Sequence, residues 1–387
     1  MMHSVIPFFG SARENTEIAS EASAAIHAVL CSGQMLQSKW VEAFEDGISA
    51  AAGRRHTVAV GSATDALFFA LIALGVGPGD EVITTDLSFI PSASCILRAG
   101  ATPVLVDVAD DCNIDLDRAA AAIGPRTKAM IFVHLFGGLT DPARVAAFAS
   151  RHRIALIEDA SQAFGAAYGD RPAGSTGDIS VFSFDPTKVL SAPGSGGCAM
   201  TNDSALAGQM RRLRYHGKEQ GAFLEPGYNS QMSSLTAAVL DIKHQRQSVW
   251  ADRRRQIAEV YDNTLDRLGW KRPRWDPAVV HGRHKYVFLA PDRDRLRDEL
   301  LSHGVPTMIH YAVPFHEEPI FSAFVDDPTA YPRSSSFARA TLSLPINGHL
   351  EDEEVARIVS ALEAFQTSAE IAVDTSMDPA PMARKVG

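Results

Sequence analysis

Two ionisable side chains frame the stretch DASQAFGAAYGDRPAGSTGDISVFSFDPTK: Asp159 at its start and Lys188 at its end. The acid closes the apolar run IALIED (154–159). The lysine follows ISVFSF (179–184) after a short turn containing Pro186. Each run reads as a strand, so both side chains arrive at one edge of a sheet. An acid and a primary amine placed together suit a pyridine aldehyde. The acid keeps the ring nitrogen protonated and the ring an electron sink, while the amine forms an imine with the aldehyde. A capping acid and a solvated loop lysine are the plainer readings of either residue alone.

The elements around the pair supply a frame. Up to about Ala52 the apolar spacing is helical; from Thr57 onward strand and helix signals alternate. TVAV (57–60), EVITT (81–85), TPVLVDV (102–108), AMIFV (129–133) and IALIED are separated by helical segments. Such alternation predicts a largely parallel α/β sheet covered by helices on both faces. Ligands in such sheets bind at the carboxyl ends of the strands. Those ends carry Gly61, Ser62, Ala63 and Thr64, then Ser88 and Phe89, then Asp159, and finally Ser183 and Lys188. GSATDAL turns from strand to helix, where free amides and the helix dipole receive phosphate. Taken alone it is an ordinary N-cap. Ser183 is placed to reach the same phosphate, and Gln162 lies one short turn beyond Asp159. Phosphate cradle, acid and lysine at successive strand ends point to pyridoxal 5'-phosphate.

Beyond Gly197, the strand-like GCAMT leads to a helix with Arg211, Arg212 and Arg214. Long helices over 234–268 carry an expected boundary near Gln245–Trp250. The expected division is a large domain over 1–247, a smaller α/β domain over 248–366 and a flexible tail over 367–387. The smaller domain shows strand signals at KYVFLA (285–290), TMIHY (307–311) and LSLPI (342–346). Its closing helix opens with Glu351–Glu354, acids that favour the positive end of the helix dipole. The tail lacks periodicity.

Composition removes several alternatives. The 387 residues carry a formal net charge of −10, the wrong sign for a general nucleic-acid binder. Cys31, Cys95, Cys112 and Cys198 show no CxxC spacing and read as reduced thiols, which predicts a cytoplasmic protein. No apolar run spans a bilayer, and MMHSVIPFFG lacks the basic and apolar regions of a signal peptide. GVGPGD (75–80) follows a helix and precedes a strand, the reverse of a dinucleotide-binding turn. The histidines form no metal-ligand spacing, and no GxSxG elbow occurs.

The segments GSATDALFFALIALGVGPGDEVIT, GATPVLVDV, VHLFGG, IEDASQAFGA, GDISVFSFDPTK and GYNSQMSSLTAAVL resemble, in this order, the DegT/DnrJ/StrS family of sugar aminotransferases. The resemblance runs from PFFG to about LSLPI. It implies the fold-type-I architecture, with a mostly parallel, mixed seven-stranded sheet sandwiched by helices and a smaller C-terminal α/β domain. It also implies a homodimer with sites at the subunit interface. On matching positions Lys188 is the Schiff-base lysine and Asp159 the partner of the pyridine nitrogen. Gln162 and Phe89 lie against the ring. Ser62, Ala63, Thr64 and Ser183 surround the phosphate, and Asn229 reaches it from the neighbouring subunit. His310, Tyr311 and His316 fall in a histidine-rich segment near the site mouth. Three departures bear on substrate: Asp185 in place of an aromatic residue, SAPGSGG (191–197) in place of an acidic turn, and Gln231 in place of a cation.

The expected reaction moves an amino group from glutamate or glutamine to a keto sugar, expected to be a nucleotide-linked keto-deoxysugar, with a keto-cyclitol as the alternative acceptor. A related dehydratase would carry histidine at position 188. A regulatory protein without catalysis would rest on Asp185 and Gln231 alone.

Overall fold

The computed structural model describes residues 5–376. Three helices open the chain: α1 (Ser11–Glu17), α2 (Ala19–Ser32) and α3 (Lys39–Ala52). Strand–helix alternation follows, with β1 (His56–Val60), α4 (Ala63–Ala73), β2 (Glu81–Thr85), α5 (Pro91–Arg98), β3 (Thr102–Val106) and α6 (Leu116–Ala121). Next come β4 (Thr127–Val133), α7 (Pro142–His152) and β5 (Ala155–Asp159). A small hairpin, β6 (Ala167–Tyr168) and β7 (Arg171–Pro172), precedes β8 (Ile179–Ser183), β9 (Gly197–Thr201) and α8 (Ser204–Leu213).

Seven of these strands form one sheet in the order β1-β9-β8-β5-β4-β2-β3. Only the pairings of β9, with β1 and with β8, are antiparallel. The expected mostly parallel, mixed seven-stranded sheet is therefore present. Successive residues on a strand face opposite sides. On β4, Ala129 and Ile131 pack into the core beneath α4 and α5, while Met130 and Phe132 pack with α7. This parity decides which of two adjacent acids serves the site. Ile157 faces the α4–α5 side, so Asp159 does too, and Glu158 turns the other way. Glu158 is fully buried there, accepting from the Gly174 and Thr176 amides at 2.8 and 2.7 Å and lying 3.0 Å from His134 Nε2.

The hairpin β10 (Lys218–Glu219) and β11 (Ala222–Phe223) leads to α9 (Ser234–Leu268). After the short β12 (Val279–Val280) come β13 (Tyr286–Leu289), α10 (Arg293–Ser302), α11 (Pro332–Ala340), β14 (Thr341–Leu344) and α12 (Asp352–Ser376). The expected boundary at 247/248 falls inside α9, which is one unbroken helix of 35 residues. Its two halves nevertheless enter different cores: Ala237 and Leu240 pack against the sheet, whereas Ile257, Ala258, Tyr261 and Leu265 pack with β13, β14 and α12. Ile6 joins this second core, so the first described residues belong with the C-terminal packing. TMIHY forms no strand and makes a single bridge from Met308 to Ser343. Pro306 and Pro314 bracket it and limit its ladder bonds. The stretch expected as a tail from 367 is helical to Ser376; its remaining residues, 377–387, lie outside the described ones. Among the described residues no helix is long and apolar enough to cross a membrane.

Candidate active site

The carboxyl ends of β1, β2, β4, β5 and β8 share one edge of the sheet, and the N-terminus of β9 meets them there. Gly197, the first residue of β9, sits opposite both Val60 and Ser183. A Cβ on it would lie 2.3 Å from the Ala63 nitrogen and 2.6 Å from the Ser62 carbonyl carbon. A bare glycine here lets the α4 N-terminus settle onto the strand. Ser62 caps that helix by accepting from the Asp65 amide at 3.2 Å. The amides of Ala63 and Thr64 have no acceptor among the described residues and point out of the helix end. Gly197→Ala is expected to cost about 1–3 kcal/mol through overpacking and to weaken cofactor binding. Thermal unfolding and equilibrium dialysis of pyridoxal phosphate measure the two effects. Parental affinity in the variant would remove the phosphate role from residues 62–64.

Asp159 ends β5 at 3 % exposure. Its Oδ2 accepts from Ser92 Oγ at 2.7 Å and its Oδ1 from the Ser161 amide at 3.1 Å. Ser88 Oγ lies 3.0 Å from Ser92 Oγ, extending the chain of hydroxyls. Ser92, in the first turn of α5, was not singled out by sequence; its only signal is serine repeated four residues after Ser88. Gln162 accepts from the Phe136 amide at 3.0 Å and donates to the Tyr311 hydroxyl at 3.2 Å. Tyr311 stacks with Phe89 at 6.3 Å between centroids, and Phe89 is 55 % exposed at the mouth. Gln162, Phe89 and Tyr311 thus form one wall.

Lys188 closes a turn that starts at Asp185. Its amide donates to the Asp185 carbonyl at 2.9 Å, across Pro186. Asp185 Oδ1 accepts from the Thr187 amide at 2.9 Å and the Thr187 hydroxyl at 2.7 Å. Asp185, expected as a substrate contact, is therefore committed to the turn that presents the lysine. Burial lowers the Lys188 ammonium from its ordinary range, and Asp159 and Asp185 pull it back up. Ser183 is buried on the same strand face as Asp159, and its hydroxyl accepts from the Asp185 amide at 3.3 Å.

The other expected residues stand apart. His316 pairs with Asp86 at 2.7 Å and lies 3.2 Å from Ser335 Oγ, so both ring nitrogens have internal partners. Burial raises the Asp86 carboxyl to about 6 against the opposing pull of His316. This buried pair holds the 315–317 turn to the end of β2 and does not join the Lys188 set. His310 meets Ser343 Oγ at 2.8 Å, and burial with Lys285 and Lys188 nearby lowers its imidazole to about 3. Gln231 accepts from Gln37 Nε2 at 2.6 Å. Asn229 is exposed and bridges to Tyr215, without contact to the other expected residues. Sequence reasoning also missed Lys285, His284 and Arg254, which line one hollow with Lys188.

The residues present fit pyridoxal phosphate. Free helix amides and Ser183 would hold a phosphate, the buried Asp159 carboxylate would serve the pyridine nitrogen, and the Lys188 amine would serve the aldehyde. When bound, the ring supplies an electron sink for the carbon that loses its proton. Fold and site together define a pyridoxal-phosphate-dependent aminotransferase of the fold-type-I architecture. The sequence matches the family model described as the DegT/DnrJ/EryC1/StrS aminotransferase family over residues 16–363. The chain belongs to that family. It is similar to the dTDP-3-amino-3,4,6-trideoxy-alpha-D-glucose transaminase of Streptomyces venezuelae, 38% identical over 93% of this chain and 96% of that protein. A Geobacillus stearothermophilus protein named a pleiotropic regulatory protein is 35% identical over 93% of this chain and 98% of its own length. The crystal structure of DesV from S. venezuelae in complex with a ketimine intermediate matches with a TM-score of 0.91 at 36% identity. That match covers 94% of this chain and 99% of DesV.

Proposed function

We propose that this enzyme transfers the amino group of glutamate or glutamine to the ketone of a nucleotide-linked keto-deoxysugar. The observation that carries the reading is the intact pair of Lys188 and Asp159 in a chain 38% identical to a dTDP-sugar transaminase along nearly its whole length. Lys188, anchored by its turn, carries the proton between substrate carbon and cofactor carbon. Asp159, held by Ser92 and Ser161, faces the pyridine nitrogen. Gln162 and Tyr311 fix the wall beside Phe89. The ketone becomes an amine as the donor becomes its 2-oxo acid.

The active form is a homodimer, with Asn229 reaching the neighbouring phosphate site. Supporting this, Asn229 is exposed beside a hairpin carrying Phe223 and Leu224, which are 71 % and 60 % exposed in one chain. Four unpaired cysteines, three of them buried, fit a reducing cytoplasm.

The test incubates the cofactor-loaded protein with glutamate or glutamine and either dTDP- or UDP-linked 3- and 4-keto sugars or a keto-cyclitol. Mass spectrometry reads the aminated product, and an enzymatic assay reads the 2-oxo acid. Amination of a nucleotide-linked sugar is expected. Amination of the cyclitol alone would replace this acceptor, and no turnover with any pair would favour a regulatory role.

A further inference from the structure

Lys285 precedes β13 and is 5 % exposed. Its Nζ stands 4.4 Å from the Phe9 ring centroid and 5.6 Å from that of Phe8. Among the described residues no hydrogen bond or ion pair reaches that Nζ. It lines the same hollow as Lys188, about 280 Å3 with its open mouth included. A buried ammonium held only by aromatic faces lacks the anion that would offset its desolvation.

The surrounding charges sharpen this. Arg254, from α9, donates to the Ile346 and Arg283 carbonyls at 2.9 and 3.3 Å, and its Nε is buried without a partner. Among the described residues no carboxylate forms an ion pair with it, though Glu14 acts on it electrostatically. Burial, then neighbouring Lys285, Lys188, Arg254 and His310, holds His284 well below its ordinary range, and His310 is also held neutral. Of the nearby acids, Glu14 also lines the hollow and meets Lys243 and Ser191, while Asp185 binds Thr187 and Asp159 binds Ser92. Gln231 is neutral and bonded to Gln37. The hollow thus gathers Lys188, Lys285 and Arg254 against one lining carboxylate, Glu14, which is already shared with Lys243.

We propose that Lys285, backed by Arg254, is the subsite that receives a carboxylate of the amino-acid donor beside Lys188. This deepens the aminotransferase reading and rests on it. Burial, with Lys188 and Arg254 nearby and Asp185 opposing them, lowers the Lys285 ammonium to about 7. A bound carboxylate favours the charged amine, so donor binding takes up a proton near neutral pH. Above that pH the site discharges and donor affinity falls.

The experiment compares the parent with Lys285→Met and Lys285→Arg. Single-turnover conversion of the bound cofactor by glutamate reads donor affinity. In Lys285→Met the apparent Kd for glutamate rises about 10- to 100-fold, the loss of one charge-assisted contact, while the limiting rate changes far less. Lys285→Arg restores most of it. Calorimetry with glutarate, in two buffers of different ionisation enthalpy, reads binding and proton uptake without turnover. The keto-sugar half-reaction of the amine form separates donor from acceptor. An unchanged glutamate Kd and unchanged glutarate binding in Lys285→Met would overturn the proposal, as would a loss confined to the keto sugar. Failure of the parent to react with any amino acid would instead overturn the aminotransferase reading, with glutarate binding still deciding the role of Lys285.

Discussion

Lys188→Ala is expected to slow amino transfer by about 10²–10⁴-fold or more, the range lost when a positioned acid–base group is removed. The variant should still fold and retain pyridoxal phosphate, because the phosphate and ring contacts come from other elements. Residues 62–64 and Ser183 would hold one end of the cofactor, and Asp159 with the Phe89–Tyr311 wall would hold the rest. The Asp185 turn should also survive. It is closed by the backbone amide of residue 188 and by Thr187 contacts, not by the lysine side chain. What disappears is the amine that anchors the aldehyde and carries the proton. Lys285 offers a second, partly neutral amine in the same hollow, so residual turnover is best measured in Lys188→Ala/Lys285→Met as well. The measurement is the single-turnover spectral change with glutamate, paired with product detection. Full amino transfer in cofactor-loaded Lys188→Ala, persisting in the double variant, would remove Lys188 from the role assigned to it.

Much of this arrangement was legible because it depends on short-range rules. Strand parity separates Glu158 from Asp159, and the strand-to-helix turn at Ser62 announces an amide cradle. The order of the sheet then brings both to one edge. Asp185 shows where local reading stops. As a departure from the family pattern it invites a substrate role, but an aspartate before Pro-Thr also closes an Asx-type turn. The structure uses it for the turn. Gln231 similarly spends its oxygen on Gln37, far away in sequence. Lys285 carried no signal because it opens a strand-like run, KYVFLA, like many edge residues. Its setting requires Phe8 and Phe9 from the chain start, Arg254 from the middle of α9 and Lys188 from the sheet edge to meet. No window of sequence contains that meeting. The boundary expected near Gln245–Trp250 falls inside α9, where one continuous helix passes from one core to the other.

Asp159→Asn is the sharper test of the cofactor assignment, because it removes a charge while leaving the shape. The carboxylate is 3 % exposed and both oxygens accept hydrogen bonds, from Ser92 Oγ and the Ser161 amide. In the amide, Oδ1 keeps the Ser161 contact and the new NH2 faces Ser92. The Ser92 hydroxyl can rotate to accept instead of donate, and Ser88 Oγ lies 3.0 Å away to complete its bonding. Folding should therefore be little affected. The neutral amide no longer favours a protonated pyridine nitrogen, so the ring becomes a weaker electron sink at the step where substrate loses its proton. Loss of such a preorganised electrostatic group costs on the order of 10²–10³ in kcat. Because the lost interaction strengthens toward the transition state, kcat and kcat/KM should fall together. Ser92→Ala keeps the charge and loses one bond to it, about 1.5–3 kcal/mol for a charged acceptor, and so should lie between parent and Asp159→Asn. Steady-state kinetics with a saturating donor orders the three proteins. Parental kcat in Asp159→Asn with cofactor fully bound would show that Asp159 does not face the pyridine nitrogen. The serine–aspartate chain would then be a structural device at the head of α5.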